Sequence, residues 1–126
     1  MTVPASPPPA PQPAVGEMSV AELTDLAQSR HPNRGKAVFE LARRAGTDNA
    51  AATALGALSR LPMLRDDRLF HLVSQAWAAI IGLLAAETDH ARRTAYAAFA
   101  DREPGDQGDL LTYLKVKRIE DAHPQI

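Results

Sequence analysis

From Leu69 to Ala86 the chain carries eighteen consecutive residues without an acidic, lysine or arginine side chain. As a single helix that run would be about 27 Å long, close to a bilayer core, so it must be either a membrane span or the centre of a folded domain. His71, Ser74 and Gln75 interrupt it, alanine makes up much of it, and the neighbouring segments carry apolar stripes that need something to cover. These features favour a buried helix in a water-soluble stack with no membrane contact. Leu69, Phe70, Leu72, Val73, Ala76, Trp77, Ile80, Ile81, Leu83 and Leu84 would encircle a helix opening near Asp66, a distribution suited to a spine buried on all sides. His71, Gln75, Ala78 and Gly82 fall on one narrow face of that helix, where a second helix can approach closely.

The flanking segments supply the partners. Ser19-Val20-Ala21-Glu22 has the residue types of a capping box, and Val20, Leu23, Leu26 and Ala27 recur at helical spacing before His31-Pro32-Asn33 stops the helix. A second helix is expected from about Arg34 to Ala45, burying Ala37, Val38, Leu41 and Ala42 and ending at a left-handed Gly46. Thr47 or Asp48 caps a third, whose stripe of Ala50, Ala51, Ala54, Leu55, Leu58 and Leu61 ends at Pro62. Beyond the spine, Thr88 or Asp89 opens a fifth helix presenting Ala91, Ala95, Tyr96 and Phe99. A sixth, from about Gln107 to Asp121, aligns Leu110, Leu111, Leu114 and Ile119.

Residues 1–18 are different in kind. They hold six of the ten prolines and few sizeable apolar groups, Val3, Val15 and Met18 besides Met1, so an extended, disordered leader is expected, followed by one all-α domain over residues 19–126. Pro4 to Pro7 and Pro8 to Pro11 have the PxxP spacing of segments that bind aromatic grooves, although no arginine flanks them. The leader also lacks a basic region followed by an apolar run, so no secretory signal is expected.

Two windows at an offset of 41 residues resemble each other. Thr47-Asp48-Asn49-Ala50 through Leu58 and Thr88-Asp89-His90-Ala91 through Phe99 agree at six of twelve positions, and two further positions pair apolar with apolar. The offset and the Ala54-Leu55-Gly56-Ala57-Leu58 ending resemble HEAT and armadillo repeats, two-helix units that bury their apolar faces by stacking. The resemblance covers residues 47–60 and 88–101. Asn49 and His90 stand where the family pattern has an arginine, so its Asp-Arg ladder is missing, and Arg34, Ala37 and Leu41 fit the pattern in a competing register. A short solenoid and an irregular bundle of five to six helices both remain compatible with these residues. The resemblance implies a protein-interaction or adaptor module, with self-association through uncovered ends as a further expectation.

Catalytic signals are sparse. His31, His71, His90 and His123 are scattered without an HExxH pair, no glycine-rich phosphate loop or nucleophile elbow occurs, and there is no cysteine, so neither a metal nor another cofactor is expected. The absence of cysteine also suits a reducing cytoplasm. Lysine and arginine total 14 against 15 acidic residues, a balance with no global attraction for nucleic acid or anionic lipid. The excess of eleven arginines over three lysines is what a GC-rich bacterial genome produces.

Charge is uneven locally: residues 30–44 carry five cations against Glu40, and residues 101–109 four acids against Arg102. Arg34, Arg43 and Arg44, with Arg92 and Arg93 on the fifth helix, are the candidate partner-binding residues. The alternative is a DNA-binding regulator using a helix-turn-helix-like segment over residues 19–45, with Arg34, Lys36, Arg43 and Arg44 on phosphates. His31-Pro32 is a poor turn for that motif, and Val38, Phe39 and Leu41 limit the face left for bases.

Overall fold

The computed structural model describes residues 14–66, 68–70 and 73–125, with the backbone alone for 68–70. The architecture is all-α. A 3-10 turn at Val15–Glu17 precedes α1 (Val20–Ala27), α2 (Arg34–Arg44), α3 (Asn49–Ser59) and the short α4 (Pro62–Asp66). A small antiparallel pair, β1 (Arg68–Phe70) with β2 (Val73–Ser74), leads into α5 (Gln75–Ala85), α6 (Asp89–Ala100) and α7 (Pro104–Leu114), and a second 3-10 turn spans Ile119–Asp121.

Local chemistry fixes most helix starts. The Ser19 hydroxyl accepts from the Glu22 amide at 3.1 Å while the Ser19 amide donates to the Glu22 carboxylate at 3.0 Å, a complete capping box. Asp48 accepts from the Ala50 amide at 2.9 Å, and Thr88 from the Ala91 amide at 3.2 Å. Each supplies an acceptor for a first-turn amide that has no partner within the helix.

α5 is buried on nearly every side. Ala76, Ala79, Ile80, Leu83 and Leu84 are fully enclosed, and the helix packs on α2, α3, α4 and α6. The buried spine is present, but it is shorter than the uncharged run. Ser74 caps it by accepting from the Trp77 amide at 3.1 Å, so the helix opens at Gln75 rather than near Asp66. A serine hydroxyl satisfies a free helix-end amide better than it serves inside a helix. At eleven residues α5 is roughly 16 Å long, and no helix among the described residues is long and apolar enough to cross a membrane. The short α4 forms at Pro62–Asp66, where a break was expected, so the described residues hold seven α-helices against the five to six expected. His71 and Leu72 lie outside the described residues, as does the leader up to Pro13.

Three further expectations need correction. The leader ends earlier than residue 18: Met18 is 7 % exposed within the core, and Arg44 donates to the carbonyls of Met18 at 2.6 Å, Gly16 at 3.0 Å and Val15 at 3.2 Å. Gly46 is not left-handed; no described glycine has a positive φ, and the Arg44 carbonyl accepts from the Asp48 amide at 2.8 Å as the chain turns directly into the next cap. α7 opens at Pro104, because a proline at the first helical position forfeits an amide that would be unpaired anyway. It closes at Lys115, φ 60°, where the Val116 amide reaches the Leu111 carbonyl and the Lys115 amide the Thr112 carbonyl, both at 3.1 Å. That is a Schellman ending with lysine in the place glycine usually holds.

α2 packs on α1, α3 and α5, and α3 packs on α2, α5 and α6. α2 and α5 nearly touch: a Cβ on Gly82 would lie 2.5 Å from the Ala42 Cβ. α3 and α6 are equally close at Gly56, where an added Cβ would meet the Thr94 methyl at 2.5 Å. α7 attaches through buried Leu110 and through Gln107, whose side-chain amide donates to the Phe99 and Arg102 carbonyls at 2.9 and 3.1 Å.

Candidate functional site

The five arginines differ in exposure and in what they bond. Arg44 is 18 % exposed, pairs with Glu40 at 3.5 Å and holds the N-terminal turn through the three carbonyls described above. Arg92, 12 % exposed, does the same at the other terminus. It donates to the carbonyls of Leu84 at 3.0 Å, Ala122 at 2.9 Å and Glu120 at 3.1 Å and to the Tyr96 hydroxyl at 2.8 Å, with its guanidinium 5.4 Å from the Tyr96 ring centre. Both guanidinium groups are clasps whose donors are already directed at backbone oxygens. Arg34 donates to the His31 carbonyl at 3.2 Å and is half-buried. Arg43 and Arg93 face solvent.

Arg43 also forms a forked contact with Glu40, whose side chain is only 7 % exposed. The Arg43 hydrogen bonds hold the Glu40 carboxyl below the usual carboxylate range, with Arg44 contributing, against the opposing effect of burial. The outward stripe of α2 is therefore Lys36, Phe39 and Arg43, at helical spacing. In the helix-turn-helix-like segment, α2 is flanked by α1, α3 and α5, and an aromatic ring sits between its two outward cations.

The described histidines are dispersed. His31 Nδ1 accepts from the Asn33 amide at 3.0 Å, His90 contacts the Thr53 hydroxyl at 3.0 Å, and His123 contacts the Glu87 carboxylate at 2.8 Å and lowers its pKa. Among the described residues no group of three or more His, Cys, Asp or Glu could hold a metal ion.

Two concavities merit comparison. The larger, about 540 Å³, lies between the ends of α3 and α6 and the start of α7. Its charges face one another: Arg60 meets Asp101 at 2.7 Å, and Arg102 meets Asp106 at 2.5 Å. Asp106 also accepts the Trp77 indole N–H at 3.1 Å, and Arg102 donates to the Ser59 carbonyl at 2.9 Å. A ligand there would have to displace formed ion pairs. The acidic excess of residues 101–109 is thus partly an internal brace.

The smaller concavity, about 250 Å³, is an apolar groove among α2, α5, α7 and the C-terminal residues, and none of its lining side chains is charged. Its floor is made of small residues, Ala42, Ala78 and Gly82, where α2 and α5 come together. Phe39 on one side is 45 % exposed and Tyr113 on the other 41 %, the latter tilted against Trp77 at 5.8 Å between ring centres. Charge counting passes over this groove, because Phe39 and Tyr113 lie on different helices and look like ordinary core residues in sequence. The available signal was Phe39 falling off the Ala37, Val38, Leu41 stripe of its own helix.

No family model, curated protein or solved structure matches the chain.

Proposed function

We propose that this chain is a non-enzymatic, cytoplasmic protein-interaction module built from HEAT-like helix pairs, and that it captures its partner at the Phe39 and Tyr113 groove. The observation that carries the reading is a pair of half-exposed aromatic rings on either side of an uncharged groove. Aromatic anchors over small-residue floors supply much of the affinity at protein interfaces. Lys36 and Arg43, on the same outward stripe as Phe39, suit a partner segment that is apolar at its centre and acidic at its flank. Arg43 is retained from the five-arginine surface, whereas Arg44 and Arg92 are better understood as clasps.

The helix-pair element of the proposal draws support from packing. The two windows that resemble each other fall on α3 and α6, which lie against one another through Thr53 with His90 and Gly56 with Thr94. α2 and α5 make the corresponding second contact, as stacked two-helix units would.

The test is affinity capture from the native host by the intact chain, by Phe39→Ser/Tyr113→Ser and by Arg43→Glu. We expect a protein retained by the intact chain to be lost with the double variant and weakened by charge reversal, with helical content unchanged. Identical retention by all three would refute the groove as the contact surface. A salt-sensitive shift of duplex DNA that is indifferent to Phe39 would replace the reading with the regulator alternative.

A further inference from the structure

We infer that the chain carries a second site, for a carboxylate on an apolar chain such as a medium-chain fatty acid, in a concavity between α6, α7 and the C-terminal 3-10 turn. This site lies beyond the proposed protein-interaction role and does not depend on it.

The concavity is about 390 Å³, within the ~300–1,000 Å³ span of small-molecule sites. Its walls are largely apolar. Tyr96 and Phe99, one turn apart on α6, line it together with Leu111 of α7 and the buried Ile119. Tyr96, Phe99 and Leu111 are only half-buried, so an alkyl chain laid among them would withdraw further apolar area from water.

Charge distinguishes this concavity from the two described above. The Phe39 and Tyr113 groove has no charged lining residue, and in the 540 Å³ concavity Arg60 and Arg102 are already paired with acids. Here the charged lining residues are Lys117, Arg118 and Glu120, two cations against one acid. Lys117 is exposed and makes no hydrogen bond or ion pair with a described residue. Arg118 meets Glu120 at 3.5 Å, but both side chains stand largely in water, 71 % and 48 % exposed, so that pairing is weak and readily exchanged for a ligand. An excess of one positive charge complements a monoanion. A dianionic phosphate would be left partly uncompensated beside Glu120.

Tyr96 adds a directional donor. Its hydroxyl oxygen accepts from Arg92 Nε at 2.8 Å, and the guanidinium lies 5.4 Å from its ring centre. A phenol that accepts one hydrogen bond keeps its own proton to donate, and no described residue takes that proton. The neighbouring cation strengthens the donor, and the carbonyls of Leu84, Glu120 and Ala122 hold Arg92 in place.

The test is ¹H–¹⁵N spectroscopy of the full chain titrated with sodium octanoate below its micellar range. Saturable shifts should concentrate on Tyr96, Phe99, Leu111 and residues 117–120, with a Kd on the order of 1 mM, while Phe39, Ala78 and Gly82 of the groove stay unshifted. Octanol keeps the chain and loses the charge, acetate the reverse, and each should bind at least roughly tenfold more weakly than octanoate. Lys117→Glu/Arg118→Glu, both at exposed positions, should weaken octanoate roughly tenfold or more, and Tyr96→Phe roughly threefold. If Tyr96→Phe unfolds for want of the Arg92 acceptor, the charge reversal decides alone.

Shifts centred on Phe39 and Gly82, equal affinity for octanol, or octanoate binding indifferent to charge reversal would each overturn the site. Retention on phosphatidylglycerol vesicles that is lost on charge reversal, without a response to octanoate, would assign these cations to a lipid surface and overturn it too. The two readings fail separately. Partner capture that depends on Phe39 and Tyr113 without an octanoate response keeps the interaction groove and refutes this site, and an octanoate site with capture indifferent to those rings does the reverse.

Discussion

Gly82→Ala probes the contact on which the groove floor depends. The added Cβ would sit 2.5 Å from the Ala42 Cβ and 3.5 Å from its Cα. Carbon atoms pack at about 3.5–4.0 Å, so α2 and α5 must separate by roughly 1 Å or more along the line joining these residues. Neither atom is the end of a flexible side chain, so the backbone itself has to move. Overpacking of this kind costs about 1–3 kcal/mol, and replacing a mid-helix glycine returns about 0.5–1 kcal/mol. The net expectation is a loss of about 1–2 kcal/mol, a fall in Tm of roughly 5–15 °C for a domain near one hundred residues.

Urea unfolding followed by far-ultraviolet circular dichroism and by Trp77 fluorescence measures this directly. Gly108→Ala on α7, where an added Cβ meets nothing within 4 Å, is the matched control and should gain about 0.5–1 kcal/mol. Ala42→Gly combined with Gly82→Ala moves the methyl group from one helix to the other. The double variant should approach wild-type stability although each single variant is destabilised, a coupling of about 1 kcal/mol or more. If Gly82→Ala is as stable as Gly108→Ala, or if the two substitutions simply add, the close approach of α2 and α5 is refuted.

Other positions give sharp expectations. Lys115→Gly should stabilise by about 1 kcal/mol in the same denaturation assay, because the left-handed end of α7 penalises a side chain; destabilisation would contradict the Schellman ending. Asp106→Ala should cost about 2–3 kcal/mol and shift Trp77 emission, since it strips the partner from the buried Arg102 side chain and the acceptor from the indole; an unchanged Tm would argue against the brace. Arg44→Glu should lower stability and expose the Val15 to Met18 amides to hydrogen exchange, whereas Arg43→Glu should leave those amides protected. Glu40 has a depressed pKa, so its contribution is present above the ordinary carboxylate range and is lost as pH falls through its folded value. Glu40→Gln should therefore be less stable than wild type at neutral pH, with the gap closing in acid, and a gap independent of pH in thermal melts would remove the Arg43 pairing as its cause.

What the sequence by itself determined is what depends on near neighbours. Ser19 could be read as a cap, and the caps of α3 and α6 narrowed to Thr47 or Asp48 and Thr88 or Asp89, because a cap meets an amide two or three residues away. The uncharged run identified the buried helix because complete desolvation excludes charge wherever the run lies in space. The same rules misplaced the start of α5, where Ser74 offered a cap inside an apolar pattern, and gave α2 a left-handed ending at Gly46, whereas the described residues with left-handed φ are Glu87 and Lys115.

Tertiary structure alone decided which arginines bind the protein to itself. Arg44 and Arg92 differ little from Arg43 and Arg93 in sequence context, yet their carbonyl partners lie up to 29 and 30 residues away, beyond any periodicity. It also decided that Phe39 and Tyr113 face one groove, since their helices are brought together by α5 and by the contact between Gly82 and Ala42. Helix capping and burial patterns are encoded within about one turn of chain, whereas a shared concavity exists only once separate helices have packed.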